Sequence, residues 1–122
     1  MEQIQTNSRK KGNEGEEIAI EYLKSLGYKI VKQNFHFGKV GEIDIICRDG
    51  NTLVFVEVKF RKSDIYGSAI DGMTKSQIIS IRKVAEGYLY INKITDIECR
   101  FDFIGIDLID GKPKITYLKN AF

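Results

Sequence analysis

A chain of 122 residues, 43% hydrophobic and 30% charged, has the make-up of one soluble globular domain with a modest core. Its formal net charge of +2 is too small for bulk charge alone to mark a nucleic-acid binder. No apolar run is long enough to cross a bilayer and the N-terminus lacks a signal-peptide core, so no membrane association and a cytoplasmic location are expected.

Residues 1–8 are polar and aperiodic and read as a flexible arm, which leaves 9–122 as a single domain. From there to Leu26 the pattern is helical: Ile18, Ala19, Tyr22, Leu23 and Leu26 recur at three- and four-residue intervals, and Gly27 supplies a stop. Residues Tyr28 to Phe35 alternate enough for a first strand, and His36 to Gly41 reads as a glycine-containing connection. A second strand, Ile43 to Arg48, and a third, Leu53 to Phe60, flank the turn residues Asp49-Gly50-Asn51-Thr52, a hairpin signal. Arg61 to Met73 has no period and is expected to be a loop.

Thr74 with Gln77 three residues later has the capping-box pattern, and Ile78, Ile81, Val84 or Ala85, and Tyr88 continue an amphipathic helix. Arg100 to Ile109 is an apolar fourth strand interrupted by acids. Asp110-Gly111 turns into a short strand around Ile115 to Leu118, with Pro113 marking an edge. The order α-β-β-β-α-β-β predicts an α/β fold. Its strand–helix–strand step from 53 to 109 implies a right-handed crossover and so a mixed sheet. Cys47 and Cys99 have no Cys or His at ligand spacing and are expected to be reduced core residues, a disulfide between them staying open.

Two charges stand where a buried strand is expected. Glu57 and Lys59 interrupt Leu53-Val-Phe-Val-Glu-Val-Lys-Phe-Arg61, a run apolar on both faces. They point to the same face, roughly 6.5–7 Å apart along the chain. Each carries a desolvation cost unless paired or bound to a cation. A two-residue turn at Gly50-Asn51, or a four-residue one over 49–52, places Asp44 directly across from Glu57. Opposed Cβ atoms are then about 4.5–5.5 Å apart. A turn at Asp49-Gly50 shifts the pair to a diagonal, and only an odd loop or a bulge separates their faces. Two such carboxylates suit Mg²⁺ or Mn²⁺, and Lys59 beside them could hold a phosphate oxygen or help deprotonate an attacking water. The plain alternative is that Glu57 and Lys59 pair with each other or face solvent.

Gly41-Glu-Ile-Asp44-Ile-Ile and Phe55-Val-Glu57-Val-Lys59-Phe-Arg61 resemble the core signature of the PD-(D/E)xK nuclease superfamily. More closely, the chain resembles the Holliday-junction-resolvase-like branch that contains the small bacterial YraN-type proteins. Gly15-Glu16, Ala19 and Tyr22-Leu23 in the first helix, Gly27-Tyr28, Asn34 and the element order extend the likeness over nearly the whole chain. No proline precedes Asp44, where the superfamily name has one. The resemblance implies a restriction-endonuclease-like mixed central sheet flanked by helices. It also implies that Asp44 and Glu57 are metal-binding acids, that Lys59 is the catalytic lysine and that Glu16 is the helix acid completing the site. Glu16 also lies three residues after Asn13, the spacing of a capping box, so its own pattern leaves cap and site both open.

By this reading the chain is a Mg²⁺- or Mn²⁺-dependent DNA endonuclease acting on branched or structured DNA, with Asp44, Glu57 and the Val58 carbonyl around the ion. Arg61, Lys62, Lys75, Gln77, Arg82 and Lys83 are expected along the phosphates, although Gln77 equally suits a cap and Lys75 a solvated surface. Tyr66 could stack on an unpaired base or rest on the surface. Asp102 and Asp107 are expected to be structural or edge residues. Two-fold-symmetric four-way junctions need two cuts, which asks for a homodimer. The rival is a DNA-binding or adaptor protein that keeps a nuclease scaffold without turnover; an exonuclease would share the same site.

Overall fold

The computed structural model describes residues 2–62 and 73–122, with side chains described from Glu14 onward. Helix α1 spans Glu2–Ser25. Its backbone is helical through the stretch read as an arm: Glu2, Gln3 and Gln5 there are strong helix formers and carry the turn without an apolar stripe. The strands are β1 (Lys29–Phe37), β2 (Gly41–Asp49), β3 (Thr52–Arg61), β4 (Cys99–Ile109) and β5 (Lys112–Leu118), and helix α2 (Lys75–Ile91) lies between β3 and β4. The strands β1 and β2 run further toward each other than alternation predicts, reducing their connection to Gly38–Val40. The predicted loop over 61–73, with Tyr66, lies largely outside the described residues.

The five strands form one sheet in the order β1-β2-β3-β4-β5, with β3 and β4 parallel and every other pair antiparallel. The parallel pair is the one joined through α2, as a strand–helix–strand crossover requires. This is the expected α/β, restriction-endonuclease-like mixed sheet. The β2–β3 hairpin turns on Gly50-Asn51 with Asp49 paired to Thr52, and Gly50 has the positive φ (62°) such a turn needs.

The helices cover opposite faces. Ala19, Ile20 and Leu23 of α1 pack on Ile45, Cys47, Val54, Val56, Ile104 and Ile106. Ile81, Val84, Ala85 and Tyr88 of α2 pack on Ile43, Ile46, Leu53 and Phe55. Each fully buried aliphatic or aromatic side chain contributes about 1.5–3 kcal/mol, so these two layers dominate stability. Two glycines let the helices close in. A Cβ on Gly15 would sit 2.5 Å from that of Phe60, and one on Gly87 would sit 2.6 Å from the Phe37 ring.

The α2 start matches its sequence signature. Gln77 N–H donates to Thr74 Oγ1 (3.1 Å) and Thr74 N–H donates to Gln77 Oε1 (2.9 Å). Cys47 and Cys99 are both free; Cys47 is buried, and burial pushes its thiol up to about 12. Among the described residues no helix is long and apolar enough to cross a membrane.

On β4, in register with Val56, Asp102 is fully buried and fully engaged. It accepts from Arg100 Nε (3.0 Å), from Asn120 N–H (3.0 Å) and from the Tyr117 hydroxyl. Arg100 also reaches Asp49 (3.0 Å) and the Tyr28 hydroxyl (3.2 Å). The network ties β2, β4, β5 and the connection between α1 and β1 together, which gives Asp102 the structural role expected of it.

Candidate active site at the fork between strands β2 and β3

The β2–β3 ladder is shorter than either strand. Pairing runs from Asp49↔Thr52 to Ile45↔Val56 and stops, while β2 begins at Gly41 and β3 continues to Arg61. Beyond the stop, β2 stays with β1 and β3 stays with β4, whose pairing extends to Arg61↔Asp107. The strands therefore fork, and Asp44 and Glu57 are the first residues past the branch point. Carrying the register one step further sets them opposite each other, as the Gly50-Asn51 turn predicts.

A second irregularity falls on the same residue. Ile45 and Cys47 pack in the α1 layer but Ile43 packs in the α2 layer, so the alternation of faces along β2 lapses at Asp44. Freed from the ladder, its carboxylate takes over one backbone partner: Val58 N–H donates to Asp44 Oδ2 at 2.8 Å. A strand residue's N–H and C=O leave on the same edge, so the Val58 carbonyl also faces the fork.

The Asp44 and Glu57 carboxyl groups lie within hydrogen-bonding reach of each other. Burial, then the facing Glu57 charge, pushes Asp44 up to about 8, and burial likewise raises Glu57 above the usual carboxylate range. Acids placed so close are held together by a shared proton or by a cation. Lys59 Nζ lies 4.0 Å from Glu57 Oε2, with 32% of its side chain exposed against 15% for Glu57. The pair is loose, and the ammonium keeps the capacity to meet an anion arriving from solvent.

Glu16 reaches the fork from α1. The contact of Gly15 with Phe60 sets the helix against β3 just where the strands part, and the next residue projects toward Asp44. One carboxylate oxygen from each of Glu16, Glu42 and Asp44 lies within 4.8 Å of the others. Burial and then Asp44 raise Glu16 to about 7, while a hydrogen bond from Asn34 pulls it back. Glu16 thus stands among the acids at the fork; its capping alternative involves Asn13, whose side chain lies outside those described.

Glu42 is the acid that sequence reasoning missed. It stands two residues from Asp44 in the same Gly-Glu-Ile-Asp motif, and that spacing was the available signal. Its carboxylate pairs with Nε2 of His36, its β1 neighbour, at 3.0 Å. The donor set around Asp44 is all hard oxygen from carboxylates, with a backbone carbonyl on the same edge. It fits a divalent ion of the Mg²⁺ or Mn²⁺ type and does not fit a soft metal.

The profile of the family described as "Uncharacterised protein family UPF0102" matches residues 15–106. The chain belongs to this family. Similar UPF0102 proteins come from Shewanella woodyi, 42% identical over 93% of this chain and 92% of the relative, and from Syntrophomonas wolfei, 41% identical over 94% and 99%. A third, from Alkaliphilus oremlandii, is 41% identical over 94% of this chain and 99% of its own length. The matched UPF0102 span contains Glu16, Glu42, Asp44, Glu57 and Lys59.

The residues expected along nucleic acid are more scattered. Arg61 Nε donates to Asp107 Oδ1 at 2.8 Å, an ion pair between registered neighbours that gives Asp107 a structural partner. Lys62 is exposed at the end of β3, and Lys75 is exposed in the first turn of α2. Gln77 serves the capping box, the alternative its spacing offered. Arg82 lies with its guanidinium 4.7 Å from the centre of the Phe101 ring, and Lys83 beside it is exposed.

Proposed function

We propose that this UPF0102 chain is a metal-dependent deoxyribonuclease, an endonuclease on branched or structured DNA, working at the fork. One observation carries the reading. Asp44, Glu57 and Glu16 converge where two strands part, beside a partly exposed lysine, and among the described residues Lys59 is the one ammonium or guanidinium paired with any of them. A fold that needed only stability would not keep like charges facing one another in its sheet.

Asp44 and Glu57, with the Val58 carbonyl, would hold Mg²⁺ or Mn²⁺, and Glu16 and Glu42 would complete the oxygen shell. When bound, such an ion supplies a Lewis acid that lowers the pKa of water and offsets phosphate charge. The protein's own groups do the rest. Val58 N–H fixes the Asp44 carboxylate through Oδ2. Lys59, anchored loosely by Glu57, meets a non-bridging phosphate oxygen and stabilises the charge that builds on it during in-line attack. Lys62, Lys75, Arg82 and Lys83 would contact flanking phosphates, and binding should weaken with salt. Two symmetric cuts on a four-way junction would require a homodimer.

The rival reading keeps the scaffold for DNA binding without turnover. It leaves the facing acids unexplained, since an anionic pocket opposes phosphate binding unless a cation fills it. The test is cleavage in Mn²⁺ of four-way junctions, linear duplex, closed circles and single strands, with Glu57→Ala beside the wild type. We expect structured DNA to be cut by the wild type alone. Cleavage by neither protein, or by both alike, contradicts the reading, and cutting of linear ends but not circles would make the enzyme an exonuclease.

A further inference from the structure

We propose that Asn34 is a positioning residue for the metal site, holding the Glu16 carboxylate in place above Asp44. The inference rests on the metal-site reading just given and assigns a role to a residue that carries no charge. The β1–β2 register passes from Gln33↔Ile45 to Phe35↔Ile43, which puts Asn34 directly across from Asp44. At this one place in β1 the backbone turns left-handed, with φ 51° at Asn34. Its side chain lies within hydrogen-bonding reach of the Glu16 carboxylate. One residue therefore touches the geometry of both acids: its backbone interrupts the ladder opposite Asp44, and its amide reaches the helix acid.

The residue type suits both tasks. Glycine would adopt the left-handed conformation more readily, yet it has no amide to donate. Asparagine tolerates that conformation better than other side chains and supplies two N–H donors without a charge. A lysine or arginine in its place would neutralise Glu16 and compete with the cation the site is built to hold. An asparagine orients the carboxylate and leaves its charge available, as partners behind metal ligands do.

The experiment compares Mn²⁺ affinity by calorimetry for wild type, Asn34→Gly, Asn34→Asp, Glu16→Gln and the double variant Asn34→Gly/Glu16→Gln. Thermal unfolding of each is measured without metal. Asn34→Gly keeps the left-handed backbone, so its metal-free unfolding should match the wild type while Mn²⁺ affinity falls roughly tenfold. Asn34→Asp, isosteric but without the donor and with a like charge, should lose at least as much. In the Glu16→Gln background, Asn34→Gly should cost nothing further, because the asparagine acts through Glu16. Unchanged affinity in Asn34→Gly, a gain in Asn34→Asp, or a full additional loss in the double variant overturns the role of Asn34. A wild type that binds no Mn²⁺ overturns the metal-site reading itself, so the two failures are distinct.

Discussion

Asp102 and Asp44 are both carboxylates drawn into the same sheet, Asp102 on β4 in register with Val56 and Asp44 on β2 just past the Ile45↔Val56 rung. Asp102 receives an arginine, a tyrosine hydroxyl and a backbone N–H. Asp44 receives one backbone N–H and is otherwise faced by Glu57, Glu16 and Glu42. The chain can evidently supply a buried acid with a full set of donors. At the fork it supplies further acids instead. The first arrangement costs little and holds the fold; the second is costly as it stands, and by the proposed function a dication would offset that cost.

That contrast can be broken most forcefully at the knot. Asp102→Ala leaves Arg100 in a mostly covered position without its main partner and should cost about 3–5 kcal/mol in urea unfolding. Asp44→Asn in the metal-free protein should cost nothing or stabilise it. Similar losses at both positions would mean that the two clusters are structural alike.

A next smaller effect is expected at Lys59. Lys59→Ala should lower cleavage by about 10²–10³-fold, the usual effect of removing one charge-stabilising donor, and leave DNA binding nearly intact. Equal loss of binding and cleavage would recast Lys59 as a phosphate anchor.

The smallest effect is a pH dependence that only the fork should show. Asp44 and Glu16 are held near about 8 and about 7 in the folded protein, above the ordinary carboxylate range of the unfolded chain. Their protonated forms favour the fold, so that contribution is complete below about pH 4 and is lost as pH rises through 7 and 8. The melting temperature of Asp44→Asn relative to wild type should therefore climb between pH 5 and 8 without metal. Saturating Mn²⁺ should reverse the trend for the wild type, since the ion binds the deprotonated acids and releases their protons. A difference that does not change with pH would remove the claim of confronted acids.

Much of this contrast was legible before any coordinates. Asp49-Gly50-Asn51-Thr52 marks a short even-length turn, which keeps Asp44 and Glu57 on one face, and the structure selects Gly50-Asn51, the placement that sets them opposite each other. Thr74 and Gln77 mark a helix start through bonds three residues apart. These are local rules. Glu42 escaped because its meeting with Glu16 depends on the seating of α1, which depends on Gly15 meeting Phe60, a contact 45 residues apart in sequence (60 − 15). The Arg100–Asp49 and Arg100–Tyr28 contacts join residues 51 and 72 positions apart and leave no periodic trace. The helical backbone of 2–8 escaped for another reason: helix-forming polar residues carry no apolar stripe to read.

The central claim is that the fork is a divalent-cation site organised on Asp44. Calorimetric titration of Mn²⁺ into wild type and Asp44→Ala tests it most directly. The account predicts a saturable site in the wild type, with proton release, that is absent from Asp44→Ala. Binding by neither protein, or equal binding by both, would contradict it.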